Sequence, residues 1–68
     1  MKVEVIVNGE VQTFQEHTTI QDILNHFEIE AKRMAVELNA KVVKRSEWST
    51  TKVRPNDRLE LLEFVGGG

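Results

Sequence analysis

The sequence holds 68 residues, 40% of them hydrophobic and 29% charged, with a formal net charge of -2 and no cysteine. This is the composition of one small globular domain, of a size that buries only about 60% of its unfolded surface and has little room for a deep pocket. It excludes a disordered chain and an apolar run long enough to span a membrane, and the absence of cysteine excludes disulfides, thiolate metal sites and a cysteine nucleophile within the chain.

Met1-Lys2-Val3-Glu4 alternates charge with Val and lacks the apolar stretch of a signal peptide, so a cytoplasmic location is the expectation. Val3, Val5 and Val7 alternate up to Asn8-Gly9, a pair that tolerates φ > 0 at both positions and is the strongest short hairpin signal. Strands near 2–8 and 10–15 are therefore expected to pair antiparallel. Thr19 is placed to N-cap a helix near 20–27 with Asp22 three residues on, and Ile20, Ile23, Leu24 and Phe27 recur at the spacing of one helix face. That stripe is wide enough to cover one face of a sheet.

Ala35-Val36-Glu37-Leu38-Asn39 reads as a strand, Asn39-Ala40 as a turn and Lys41-Val42-Val43 as a short strand. Ser46 is positioned to cap a single helical turn carrying Glu47 and Trp48. Pro55-Asn56-Asp57 marks a turn, and Arg58 to Val65 alternates as a last strand, with Leu59 and Leu61 on one side and Leu62 and Phe64 on the other. A hairpin, a crossing helix and returning strands make an α+β layer pair, best matched by a β-grasp arrangement: a mixed sheet of four to five strands covered by one main helix. The last strand then lies centrally beside the first and parallel to it, because the helix supplies the crossover that parallel neighbours require. The expected organisation is a domain over residues 1–65 followed by a flexible glycine tail at 66–68.

Little in this chain points to chemistry of its own. His17 and His26 have no partners at metal-ligand spacing, and the serines and threonines lie in no nucleophile motif and read as capping and turn residues. Gly9 and the terminal three are the only glycines, so no phosphate-cradling loop can form and no ATP is activated without a partner. Lys41, Lys44 and Arg45 read as a solvated hairpin edge rather than a nucleic-acid surface, since acidic and basic residues are interspersed throughout. Trp48 reads as a plug of the core or its edge.

The closing Phe64-Val65-Gly66-Gly67-Gly68 differs from the rest. Ordering glycine loses more backbone entropy than ordering any other residue, so folding gives little reason for three in a row. A flexible tail or a cloning scar is the bland explanation. A narrow partner site is the alternative, because a backbone without Cβ atoms can thread a channel closed to other residues. Beside the tail, Leu62 and Phe64 are expected on the open face of the sheet as an apolar patch suited to docking.

With the Asn8-Gly9 hairpin, Ala35-Val36-Glu37-Leu38-Asn39, Arg45-Ser46-Glu47-Trp48 and the closing Phe64-Val65-Gly66-Gly67-Gly68 in this order, the chain resembles the ThiS family, the sulfur carriers of thiamine biosynthesis. Pro55-Asn56-Asp57 departs from the Gly-Asp turn of many members, in a loop away from the tail. The resemblance implies a ubiquitin-like β-grasp protein that acts as a cosubstrate rather than an enzyme. Gly68 would carry the reactive carboxylate, and Gly66, Gly67, Leu62 and Phe64 would meet partners. The carboxylate would be adenylated by a ThiF-type enzyme and receive sulfur from a cysteine-desulfurase relay. The resulting thiocarboxylate would then pass to thiazole synthase, ThiG. No cofactor, metal, nucleic acid or membrane is called for. Three other readings stay open: a carrier like the small subunit of molybdopterin synthase, whose chains are usually longer; a ubiquitin-like modifier, which would form isopeptides; and a β-grasp binding module, which would tolerate loss of Gly68.

Overall fold

Alternating Val3, Val5 and Val7 give β1 (Lys2–Val7) one buried edge-to-edge row of side chains, and the chain then reverses at Asn8 and Gly9 into β2 (Glu10–Gln15). Both turn residues have positive φ, 49° and 83°, the backbone that a tight hairpin needs to match the twist of its strands. The register is antiparallel throughout, from Lys2 opposite Gln15 to Val7 opposite Glu10. The computed structural model describes residues 1–63, so Phe64, Val65 and the glycine tail lie outside the described residues, as does the expected boundary at residue 65.

Thr19 begins α1 (Ile20–His26) with the reciprocal capping box expected of it: its hydroxyl accepts from the Asp22 amide, and the Asp22 carboxylate accepts from the Thr19 amide, both at 3.1 Å. The helix ends one residue before the expected boundary. Phe27 is its C-cap, and Glu28 follows at φ 56°, taking the left-handed position usually held by Gly or Asn. Ile20, Ile23 and Leu24 are fully buried, while Phe27 stays about one-third exposed and meets the rings of Phe14 and His26 edge-on.

A short 3-10 turn at Ala31–Arg33, absent from the sequence-based expectation, leads into β3 (Met34–Leu38), one residue earlier than expected. Asn39 and Ala40, both at positive φ, turn it into β4 (Lys41–Val43). The next 3-10 turn runs from Arg45 to Glu47 with Lys44 at its N-cap and no side-chain cap bond. Ser46 therefore lies inside the turn and does not cap it. The turn is closed by the Glu47 amide donating to the Lys44 carbonyl at 2.8 Å and the Trp48 amide donating to the Arg45 carbonyl at 3.1 Å, while the Arg45 guanidinium donates to the carbonyls of Ala31 and Lys32 and stacks over the Trp48 ring at 5.4 Å. Arg45 is exposed, as expected, and also links the two 3-10 turns.

Trp48 fills the core as expected. It is 2% exposed, and its indole N–H donates to the Val43 carbonyl at 3.0 Å, which satisfies the one polar atom it brings inside. After the turn at Pro55-Asn56-Asp57, β5 (Arg58–Glu63) enters between β1 and β3. The five-stranded sheet has the order β2-β1-β5-β3-β4, with β1 and β5 parallel and all other pairs antiparallel. This is the β-grasp arrangement, with α1 on one face. Val5, Val36, Leu59 and Leu61 point into that covered layer with Ile20, Ile23, Leu24 and Trp48. Burial of each such side chain stabilises by about 1.5–3 kcal/mol before chain entropy is set against it.

Candidate functional site

The exit of β5 is where the sequence places its candidate site, and two turn asparagines hold that strand in place. At its start, the Arg58 amide donates to the side-chain oxygen of Asn39 at 2.9 Å, while Asn39 donates to Asp57 at 3.0 Å. Further along, the Leu61 amide donates to the side-chain oxygen of Asn8 at 2.8 Å. A central strand held from both neighbours is a firm support for whatever follows it.

Alternation along β5 gives its side chains their two destinations. Leu59 and Leu61 face α1 and are buried, whereas Leu62 faces the opposite, open side of the sheet and is 45% exposed. The expected assignment of faces is therefore correct at Leu62. Phe64, its expected companion, and Gly66, Gly67 and Gly68 lie outside the described residues. Leu62 stands opposite Ala35 of β3, and the pair beside it on the same face is Glu60 opposite Glu37, with Val42 of β4 next to Glu37 in register.

The open face carries more apolar surface than Leu62 alone. Val42 is 74% exposed and Val11 62%, and Ile6, opposite Val11, is half-buried. These residues were missed as part of the surface because each reads equally well as an ordinary strand residue. Setting every strand in register, so that Val11, Ile6, Ala35 and Val42 share a side with Leu62, is the signal that finds them.

Neither histidine joins a reactive cluster. His17 is exposed at φ 75° with its ring nitrogen 3.2 Å from the Glu16 carboxylate, and His26 packs against Phe14 and Phe27. Among the described residues no group of His, Asp or Glu side chains is arranged to hold a metal ion. Nor is any helix there long and apolar enough to cross a membrane. The described residues thus offer an exposed apolar surface and a braced last strand.

Known proteins place this geometry in context. The ThiS family model matches residues 5–68. The chain is similar to a sulfur carrier protein ThiS of Bacillus subtilis, 32% identical with 91% of this chain and 96% of that protein covered. It is also similar to a thiazole synthase of Paramagnetospirillum magneticum, 31% identical over 96% of this chain, of which it spans 20% of the length. Among solved structures, a thiamine biosynthesis protein (ThiS) from Geobacter metallireducens superposes with a TM-score of 0.84 and 32% identity, covering 97% of this chain and all of that one.

Proposed function

This chain belongs to the ThiS family of sulfur carriers of thiamine biosynthesis, and from that premise we propose that the carboxylate of Gly68 carries sulfur as a thiocarboxylate. A carboxylate is a poor electrophile, and no residue motif of this sequence binds the nucleotide that would activate it. A ThiF-type partner therefore supplies the nucleotide: the carboxylate oxygen attacks the α-phosphorus of ATP, pyrophosphate leaves, and an acyl-adenylate forms. The terminal sulfur of a persulfide on a cysteine-desulfurase relay then attacks the acyl carbon and displaces AMP, and a thiol cleaves the resulting acyl disulfide, which releases the thiocarboxylate and leaves the relay and the thiol joined as a disulfide. The product thiocarboxylate is a soft nucleophile, and thiazole synthase uses it in forming the thiazole ring. The protein is a cosubstrate in this cycle, working in the cytoplasm.

The observation that carries the reading is the family match, which runs through the glycine tail to residue 68. The likeness of the chain to a fifth of a thiazole synthase supports thiazole synthase as the acceptor. The open-face residue Leu62, with Phe64, supplies docking, and Gly66 and Gly67 supply a backbone narrow enough to enter a partner's site. Intact-protein mass spectrometry tests the proposal directly. Incubated with a ThiF-type enzyme, ATP and a sulfur source, the protein gains one sulfur in exchange for one oxygen, localised to Gly68. A mass change at an internal residue, or a Gly68 deletion that still supports thiazole formation at the normal rate, overturns it.

A further inference from the structure

Asn8 does two things that the hairpin alone does not require of one residue. Its backbone continues the parallel ladder between β1 and β5: the Ile6 amide donates to the Asp57 carbonyl at 2.8 Å, and the Asn8 amide donates to the Leu59 carbonyl at 2.9 Å. At this point φ 49° turns the chain away into β2, and β1 ends. The next rung nevertheless forms, because the Asn8 side-chain oxygen accepts from the partly buried Leu61 amide at 2.8 Å. A side-chain carbonyl has taken the place of the backbone carbonyl that the turn carries off. Gly would meet the turn's φ requirement but has no acceptor, and most residues with an acceptor disfavour the turn. Asn and Asp meet both conditions.

We propose that Asn8 is a positioning residue for partner docking ahead of the transfer chemistry: its side chain holds the exit end of β5 in the sheet, so that the docking residue Leu62 is presented from a strand paired on both sides. This role rests on the sulfur-carrier reading. Without the bond, β5 remains paired to β3 through Leu62 opposite Ala35 and Glu63 opposite Met34, so the fold survives while the β1 side of the exit opens. Docking at Leu62 and insertion of the tail must happen together in one partner. A frayed exit lowers the fraction of molecules competent for both, which raises KM and leaves kcat at saturation alone, since binding restores the competent form.

Asn39 is the internal comparison, because its side-chain oxygen makes the same kind of bond to β5 at the entry end, to the Arg58 amide. The experiment measures steady-state adenylation and sulfur loading by a ThiF-type enzyme with the wild-type chain, Asn8→Gly, Asn8→Asp and Asn39→Gly, together with amide hydrogen exchange at Leu61. High salt is used throughout to screen the charge that Asp introduces near Glu30 and Glu63, which line the same groove as Asn8. Asn8→Gly is expected to raise KM roughly fivefold with kcat unchanged and to speed Leu61 exchange. Asn8→Asp restores both, and Asn39→Gly lowers stability without raising KM. Wild-type KM in Asn8→Gly, equal impairment in Asn8→Asp, or an equal KM rise in Asn39→Gly overturns the positioning role while loading of the wild type stands. Failure of the wild type itself to load overturns the carrier reading and the role with it.

Discussion

On the face of the sheet under α1, Val5, Val36 and Leu59 are fully buried, whereas on the opposite face Leu62, Val11 and Val42 remain 45%, 62% and 74% exposed. Residue types are alike on the two faces; their surroundings differ. The covered face uses its apolar residues to hold the fold, together with Trp48 and the helix residues Ile20, Ile23 and Leu24. The open face leaves comparable residues in water and sets Glu37 directly opposite Glu60. With docking proposed for the open face, substitutions on the two faces should move different observables.

The largest effect is expected on the covered face. Trp48→Ala removes the largest fully buried side chain and the hydrogen bond to Val43. Large-to-small changes of this kind cost about 3–5 kcal/mol, against a typical total of about 5–15 kcal/mol, with a small domain toward the lower end. Urea titration followed by circular dichroism should show a midpoint shifted far down or no folded baseline at all. A loss under about 1 kcal/mol would mean that the indole does not support the core.

Leu62→Ser should do the reverse. Stability is expected to stay within about 0.5 kcal/mol of wild type, while affinity for the ThiF-type enzyme falls roughly 30-fold, the effect of losing an apolar anchor worth about 2 kcal/mol. Calorimetric titration paired with the same urea experiment separates the two quantities. Strong unfolding with unchanged affinity would abolish the division of labour between the faces.

What the sequence made legible follows the range of the interactions involved. Asn8-Gly9, the Thr19 and Asp22 capping box and the alternation of Leu59, Leu61 and Leu62 all act through neighbours a few residues away, and each was readable before the fold was known. The central, parallel placement of β5 was also readable, because the single helix supplies the needed crossover. The bond from Leu61 to Asn8 joins residues 53 apart, and turn propensity alone accounts for Asn8 so well that nothing suggests a second role. Ser46 misled because capping preference does not fix where a turn begins: this one is closed from the Lys44 carbonyl, two residues before Ser46, which puts Ser46 inside it. Glu28 at φ 56° left no glycine signal for the end of α1. At the candidate site Leu62 was legible from period two, but Val11 and Val42 needed the whole register.

The smallest effect sharpens the comparison from the unfavourable side. Glu37 and Glu60 face each other across β3 and β5, both half-buried on the open face, and like charges directly opposite in a sheet are destabilising. A face selected for folding would pair one of them with a cation. Glu60→Lys supplies that cation, and its long apolar stem also covers neighbouring surface beside Leu62. The variant is expected to gain about 0.2–1 kcal/mol in urea titration at low ionic strength, with the gain shrinking as salt is added. A gain that persists in high salt would come from the stem's packing rather than from charge. A loss of stability would show that the Glu60 carboxylate has favourable interactions on this face, and the open side of the sheet would then have to be counted among the elements that hold the fold.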